Sequence, residues 1–523
     1  MNQYFQYGSE TLSISNAIAI SKGNIKGIVN KEAREKVRNS SAIVERIATS
    51  SQAVYGINTG FGPLCTTMIS AEDTRKLQEN LLKSHAVGIG EPISESLVRL
   101  MLVLKLQALA QGYSGIREET LDRIIWHLEE SIIPVVPSQG SVGASGDLAP
   151  LAHLFLPLIG LGKVSFQNKI MDAAALLQQK GMSPLTLVAK EGLALINGTQ
   201  FIAAHAVQAL ASFQNLLANA DIISALMLDG LKGSAKPFLE ALHQLRPFKG
   251  CQHVAATIRN LLNDSGIVPS HANCARVQDP YSLRCIPQVH GAARNAWLHL
   301  KELVELEINA VTDNPVIIDE ALTISGGNFH GEPLALPLDY ACIAVSEIGN
   351  IADRRIYLSL EGNVPGVPKL LVKETGLNSG FMILQYASAA LASENKSLCF
   401  PASADSIPTS LGQEDHVSMG SISGRKLLQV INNAEKIIGI EAICAAQAID
   451  FHAPIKTGEI LQAIHAHIRN RIPHIEQDTI LHDYIQQAII IIQNGELPKL
   501  ALEIACKEGV PYKTEFSQLF DSF

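Results

Sequence analysis

The sequence predicts a mainly α-helical fold, in which a bundle of long helices follows an N-terminal, loop-rich domain. Apolar residues recur at helical spacing with few helix breakers in four stretches of the second half, and strand-like alternation is scarce. These stretches are Gln288–Val311, Leu336–Leu360, Phe381–Lys396 and Ser423–Asp450. Each exceeds the ~11–12 residues of an average helix. Long, weakly charged helices that are rich in alanine are typical of bundles with extensive lateral packing.

The first half is less regular. Glycine and serine interrupt residues 55–62 and 139–146, which predicts a loop at each place. Gly162–Lys169 fits a short hairpin arm, and Gln200–Gly230 begins a long helical stretch. We therefore divide the chain near residue 220, into a loop-rich domain that carries the predicted site, residues 1–220, and a helix bundle that mediates oligomerisation, residues 221–523.

Composition narrows the class of protein. The chain has 523 residues, of which 47% are hydrophobic and only 17% charged, so it can bury a large core and hide part of its surface in subunit contacts. A net charge of -9 without a dense Lys/Arg run argues against nucleic-acid binding. The first 20 residues lack a signal-peptide pattern, and the apolar run Leu148–Gly162 is too short to span a bilayer. We expect a cytoplasmic protein that does not bind membranes.

The cysteines do not form a recognisable framework. Eight are scattered without a C-x-x-C pair, which predicts buried free thiols: Cys65, Cys251, Cys274, Cys285, Cys342, Cys399, Cys444 and Cys506. No H-E-x-x-H motif and no Cys/His cluster occurs, so the sequence predicts no metal site.

The stretch Gly140–Pro150, GSVGASGDLAP, is the most informative one. Five of its eleven residues are glycine or alanine, which permits close backbone approach and unusual dihedral angles. A flexible loop before a helix that starts near Asp147 is one interpretation. A phosphate cradle is another, although the lysine of a P-loop is missing.

A third interpretation is self-cyclisation of Ala144-Ser145-Gly146. The amide nitrogen of Gly146 can attack the carbonyl carbon of Ala144, because glycine has no side chain to obstruct the approach. Loss of one water closes an imidazolone ring, and a second dehydration at Ser145 leaves an exocyclic methylidene. The product is a strong electrophile attached to the backbone.

This stretch resembles the signature of the aromatic amino acid ammonia-lyases, which act on histidine, phenylalanine or tyrosine. The resemblance extends from Tyr55 to about Asp450 through several motifs in the family's order. It implies a methylidene-imidazolone (MIO) group formed from Ala144, Ser145 and Gly146, and no external cofactor. It also implies elimination of ammonia from an aromatic amino acid as the small-molecule substrate, and a homotetramer whose active sites are shared between subunits.

The resemblance also implies roles for single residues. Tyr55, in the motif VYGINTGFG, is the expected base that removes the β-proton, although a lone tyrosine is more often structural. An ordinary tyrosine has a pKa of about 10, so the site has to stabilise its phenolate. Covalent capture of the amine divides one difficult step into easier ones.

Five further residues complete the expected site. In the motif QDPYSLR, Arg284 is expected to bind the substrate carboxylate and Tyr281 to lie near the electrophile, with Gln278 as a further binding residue. Asn197 is expected to hydrogen-bond the carboxylate or the carbonyl region of the ring. Phe329 is expected to form a wall of the pocket. Without the motif, an arginine is more often part of a surface ion pair.

His85 and Glu414 bear on the substrate, because both match the form of the family that acts on histidine. The imidazole ring of histidine has N–H groups, and the carboxylate of Glu414, which is expected in the catalytic site, can accept a hydrogen bond from them. Beside a phenyl ring the same carboxylate would be desolvated without a donor, which costs free energy. The alternative for His85 is a histidine whose hydrogen bonds are satisfied within its helix, and the alternative for Glu414 is a structural ion pair. The sequence therefore favours conversion of L-histidine to trans-urocanate.

Two alternatives to this function stay open. The chain departs from the histidine-specific pattern at Ile286 and His290, and a tyrosine or phenylalanine ammonia-lyase, or an aminomutase with the same electrophile, is a second hypothesis. A non-catalytic helical assembly protein is the third. The intact Ala144-Ser145-Gly146, together with Tyr55 and Arg284, argues against it.

Overall fold

The computed structural model describes residues 4–50, 53–60, 69–272 and 277–523, and the side chains of 71 and 72 are not described. Phe61 and Gly62 of the Tyr55 motif, Cys65 and Cys274 lie outside the described residues.

Helices dominate both halves of the chain, which confirms the predicted fold class. The first half contains α1 Ile14–Ser21, α2 Lys31–Ala48, α3 Ala71–His85, α4 Glu95–Leu109, α5 Glu118–Glu129, α6 Leu148–Phe155, α7 Ala173–Gln179, α8 Glu191–Ile196 and α9 Gln200–Gly230. The second half contains α10 Glu240–Gln244, α11 Lys249–Leu262, α12 Ile267–Ser270, α13 Tyr281–Arg284, α14 Ile286–Glu307, α15 Glu332–Leu360, α16 Met382–Leu398, α17 Gly420–Asp450, α18 Glu459–Arg469, α19 His482–Gln493, α20 Glu496–Glu508 and α21 Ser517–Phe520. Short 3-10 helices lie at Leu156–Ile159, Lys236–Phe238, Lys369–Leu371 and Ser410–Gly412.

Within the described residues the strands are short and belong to four small sheets. They are β1 Tyr4–Gln6, β2 Lys26–Ile28, β3 Ile89–Pro92, β4 Ile133–Pro134, β5 Pro137–Gln139, β6 Lys163–Phe166, β7 Lys169–Asp172, β8 Val316–Ile317 and β9 Thr323–Ile324. β1 pairs in parallel with β2, and the pairs β3–β5, β4–β6, β6–β7 and β8–β9 are antiparallel. The predicted hairpin arm is β6–β7. Its two turn residues, Gln167 and Asn168, both have positive φ, as a tight hairpin turn requires.

The core of the bundle consists of three long parallel helices, α9, α15 and α17, and of α14, which runs antiparallel to α9. The Oγ of Ser423 donates to Asp339 near the start of α17 and α15, and Arg355 pairs with Glu441 further along both helices. Each contact joins positions that lie at similar distances from the starts of α15 and α17, so these two helices are parallel. Residue 220, where we divide the chain, lies inside α9, and the division stays a prediction.

α9 and α15 are long and apolar enough to cross a membrane by length and composition alone. Most of each helix is buried against other helices of the bundle, however. Core helices of a large protein have this same character, because they pack apolar side chains on nearly every face.

Ion pairs are buried between the long helices. Arg355 binds Glu441 through Nε and Nη2, at 2.5 and 3.0 Å from the two carboxylate oxygens, and both side chains are fully buried. Asp221 of α9 pairs with Arg294 and with the Nδ1 of His290, the latter at 2.7 Å. His290, one of the two departures from the family pattern, is therefore part of an interior charge cluster.

Ile286, the other departure from the family pattern, is also fully buried.

All six described cysteines are free thiols. The prediction that they are buried is confirmed for Cys251, Cys342 and Cys444, but it is wrong for Cys506, which is exposed on α20.

The Arg355–Glu441 pair yields a test of the bundle. Arg355→Met leaves an uncompensated carboxylate in the interior, and we expect a loss of about 3–5 kcal/mol of unfolding free energy. The double variant Arg355→Met/Glu441→Leu removes both charges and should recover most of that loss. Chemical unfolding followed by circular dichroism measures both. A double variant that is no more stable than the single one would contradict the interpretation.

Candidate active site

The Gly140–Asp147 segment forms a compact turn. Gly140, Gly143 and Gly146 have φ values of 120°, 72° and 74°, which is the region that favours glycine. A Cβ on Gly146 would lie only 2.1 Å from the carbonyl oxygen of Gly198. Backbone packing therefore requires glycine at the position whose nitrogen has to be unobstructed for cyclisation, so these residues fit the predicted MIO group.

Asp147 attaches this turn to the start of α9. Its backbone N–H donates to the Gly198 carbonyl at 2.8 Å. Its carboxylate accepts from the N–H groups of Phe201 and Ile202, at 3.1 and 2.9 Å, and so satisfies two donors at the N-terminus of α9. Burial raises the pKa of Asp147 to about 7, while these two donors and the hydroxyl of Ser141 act in the opposite direction.

The segment before α17 holds the other side of the turn. The N–H of Met419 donates to the Val142 carbonyl at 2.9 Å, and the Ser421 hydroxyl donates to the Ser141 carbonyl at 2.6 Å. Ala144 packs in a small apolar cluster with Val417 and Met419. A segment 275 to 280 residues further along the chain thus fixes the tripeptide from a second direction.

The N-termini of α9, α15 and α17 converge on this turn. Gly331, which precedes α15, lies against the side chains of Ser418 and Ile202. The Ser418 hydroxyl in turn donates to the Gly143 carbonyl at 3.3 Å. Because each helix N-terminus carries a partial positive charge, the arrangement favours an anionic group, such as a carboxylate, beside Ser145.

His85 and Glu414 are near enough to interact electrostatically although 329 positions separate them. His85 ends α3, where its Nδ1 lies 2.8 Å from the carbonyl oxygen of Leu81. A carbonyl accepts only from a protonated nitrogen, so Nε2 of the neutral ring is an acceptor. Burial lowers the pKa of His85, and the charge of Glu414 opposes this shift. Glu414 itself accepts from the Thr409 hydroxyl at 3.2 Å.

Asn197 and Tyr55 lie on neighbouring segments. Asn197 ends α8, and its Nδ2 donates to the carbonyls of Leu193 and Asn314, both at 3.3 Å. Tyr55 is half-buried against the main core. Its neighbour Gly56 touches Leu193 and Pro315, so the two predicted site residues share the same surroundings.

Phe329 also lies at this end of the bundle. It is half-buried in the loop before α15. The adjacent His330 has its Nε2 3.2 Å from the carbonyl oxygen of His416, two residues from Glu414. The structure therefore gathers Tyr55, the tripeptide, Asn197, Phe329 and the His85/Glu414 pair at one end of the helices.

Gln278, Tyr281 and Arg284 lie at the opposite end. The guanidinium of Arg284 stacks 4.5 Å from the Tyr281 ring centre and donates to the Asp279 carbonyl, and Gln278 and Tyr281 are exposed. The neighbouring Ser282 carbonyl accepts from Arg355, which is 23 residues beyond the start of α15. At 1.5 Å per residue this is about 35 Å along the helix. One chain does not bring Arg284 to Ser145.

Sequence reasoning missed a buried lysine beneath the site. Lys105 of α4 is 2% exposed, and its Nζ donates to the Asn197 carbonyl at 2.5 Å. Burial lowers the pKa of Lys105 to about 7. A second buried pair, Lys190 and Asp313, lies 2.6 Å apart in the same framework. The signal in the sequence is a single lysine within the apolar run LMLVLKLQAL.

The Gly146 turn is directly testable. We expect Gly146→Ala to lose the double dehydration of the tripeptide, because the added methyl overlaps the Gly198 carbonyl. Gly181→Ala is the matched control, since Gly181 also has positive φ but no atom within 4 Å of its Cβ position. Mass spectrometry of the intact proteins shows whether two waters are lost. A Gly146→Ala protein that is fully dehydrated would contradict the steric argument.

Comparison with known proteins agrees with this geometry. Residues 12–470 match the model of the aromatic amino acid lyase family. A histidine ammonia-lyase from Sorangium cellulosum is 47% identical over 496 residues, 93% of this chain and 96% of the relative. A histidine ammonia-lyase from Myxococcus xanthus is 44% identical over 489 residues, with the same two coverages.

Solved structures show the same fold. The histidine ammonia-lyase from Trypanosoma cruzi superposes with a TM-score of 0.89 at 37% identity, over 99% of this chain and 98% of that one. A tyrosine aminomutase from Streptomyces globisporus superposes with a TM-score of 0.90 at 32% identity, over 96% and 98%. The chain belongs to the aromatic amino acid lyase family.

Proposed function

We propose that this protein eliminates ammonia from L-histidine to give trans-urocanate. The observation that carries the proposal is the placement of the His85/Glu414 pair at the same end of the bundle as the Ala144-Ser145-Gly146 turn. The curated relatives named above are histidine ammonia-lyases, which supports the substrate.

Ala144, Ser145 and Gly146 would form the MIO group, which would supply an electrophile for the substrate amine and so make ammonia a better leaving group. The protein's own residues orient the substrate and move the proton. Tyr55 takes the β-proton as its phenolate, which the positive helix N-termini help to stabilise. Lys105 holds the backbone carbonyl of Asn197. The Nδ2 of Asn197 donates to the carbonyls of Leu193 and Asn314, so it would exchange one of these bonds to donate to the substrate carboxylate or to the ring carbonyl.

The imidazole ring of L-histidine gives both His85 and Glu414 a role in binding the substrate. A protonated imidazole has two N–H groups, of which one donates to the Nε2 of neutral His85 and the other to the carboxylate of Glu414. A neutral imidazole has one N–H and donates it to one of these two acceptors. A phenyl or phenol ring would leave the Glu414 carboxylate desolvated without a matching donor, at a cost in free energy.

A tyrosine or phenylalanine ammonia-lyase, or an aminomutase, is the second candidate. Its support is the tyrosine aminomutase structure, which matches this fold as well as the histidine ammonia-lyase structure does. The two reactions share the electrophile and differ in whether the amine leaves or returns to the β-carbon.

The exposed face of the bundle supports a homotetramer. The exposed side of the first part of α15 carries Leu336, Tyr340 and Ile343 at helical spacing, and Tyr357 follows after the polar residues Glu347, Asn350 and Arg354. Ile383 and Tyr386 of α16 are also exposed. Exposed large apolar side chains in this number are typical of a subunit interface. A second copy packed against it would place its Arg284 near the Ser145 of the first. A cytoplasmic location stays a prediction.

The substrate is tested by ultraviolet absorbance of the purified protein with L-histidine, L-tyrosine or L-phenylalanine. We expect a conjugated acrylate to form from L-histidine alone. Ser145→Ala should lose at least about 10³-fold in turnover, because the amine no longer meets an electrophile, while its melting temperature is unchanged. Product from tyrosine or phenylalanine alone would overturn the substrate, and a near-normal Ser145→Ala would overturn the chemistry.

Shared active sites are tested by mixing two inactive variants. Ser145→Ala and Arg284→Met are co-expressed with different tags, and the doubly tagged hybrids are purified. Sites with Ser145 from one subunit and Arg284 from another are intact, so we expect roughly a quarter of wild-type activity in hybrids with equal shares. Hybrids no more active than the parents would show that both residues act within one chain.

A further inference from the structure

A cavity of about 710 Å³ lies in the N-terminal part, between α1, β2, α4 and α5. Its walls are largely apolar and include Ile18, Ile25, Leu100, Ile125 and Leu128. None of the candidate active-site residues lines it. The volume is within the range of small-molecule sites, and apolar walls with a few polar groups are typical of them.

One polar group on the wall has no partner within the described part of the chain. The hydroxyl of Tyr7 is buried, with the residue 1% exposed, and it makes no hydrogen bond there. It lies against Gly27, where a Cβ would be 2.6 Å from the Tyr7 Oη. A buried hydroxyl without a partner is costly, so this group calls for a ligand atom or a water.

The charges around the cavity are not balanced. Lys26 pairs with Glu129 at 2.9 Å, and Glu95 accepts from the Ser165 hydroxyl at 2.5 Å. Arg99, which is half-buried in the wall, has no acidic partner among the residues that the structure describes. An unpaired guanidinium next to apolar walls is suited to a carboxylate, which it binds through two parallel hydrogen bonds.

We propose that this cavity binds a small monocarboxylate with an apolar body, separately from the active site. Arg99 binds the carboxylate, the Tyr7 hydroxyl hydrogen-bonds one of its oxygens, and the isoleucine and leucine side chains cover the hydrocarbon part. A phosphate or a dicarboxylate fits less well, because the carboxylates of Glu95 and Glu129 also line the cavity and Lys26 is already paired with Glu129.

The experiment titrates the full-length protein with 4-phenylbutyrate by isothermal calorimetry. We expect saturable binding, and binding at least about tenfold weaker for the neutral amide, 4-phenylbutanamide, because the charge-assisted bonds are lost. Arg99→Met should weaken binding of the carboxylate by at least about tenfold. The matched control Lys169→Met removes an exposed positive charge from β7 and should leave binding unchanged.

Two more variants test whether the carboxylate binds in this cavity and not in the active site. Tyr7→Phe should weaken binding severalfold without lowering the melting temperature of the free protein, since the hydroxyl makes no bond there. Arg284→Met should not change binding. Equal binding by wild type and Arg99→Met, equal binding of acid and amide, loss of binding in Arg284→Met, or no binding at millimolar concentration would each overturn the proposal.

Discussion

The carboxylate of Asp147 at the N-terminus of α9 is the contact on which the rest of the site depends. It is fully buried, and it joins the tripeptide turn to the longest helix of the first half through two backbone N–H groups. A carboxylate in this position satisfies donors that the helix itself cannot satisfy. These bonds fix the orientation of the turn relative to α9. Residues at the starts of α15 and α17 contact the same turn, so their positions are fixed relative to it as well.

Buried charged side chains recur in the part of the structure beneath this site. Lys105 supports Asn197, Lys190 pairs with Asp313, and Arg355 pairs with Glu441 between the long helices. A buried ion pair adds little net stability, but separating its members is costly, so each pair restricts how its segments can pack. Rigid neighbours hold reacting groups at the distances that catalysis requires.

Parallel packing of α9, α15 and α17 has a further consequence. All three helices begin at the tripeptide turn and end at the segment that carries Tyr281 and Arg284. Straight helices of this length keep their two ends tens of ångströms apart. In the proposed function Arg284 binds the substrate carboxylate, and from the far end of the helices it would reach the electrophile only from a second chain.

The sequence by itself determined the helical class, the long helical stretch that begins at Gln200, the hairpin arm and the tripeptide, because these depend on local periodicity and on the steric freedom of glycine. The sequence motifs also predicted the residues that lie at the tripeptide end of the bundle, which are Tyr55, His85, Asn197, Phe329 and Glu414. Tertiary structure alone decided that Arg284 lies far from Ser145, that Lys105 is buried beneath Asn197, and that His290 pairs with Asp221. These facts depend on contacts between segments tens to hundreds of residues apart, and no local pattern encodes which buried charge meets which partner.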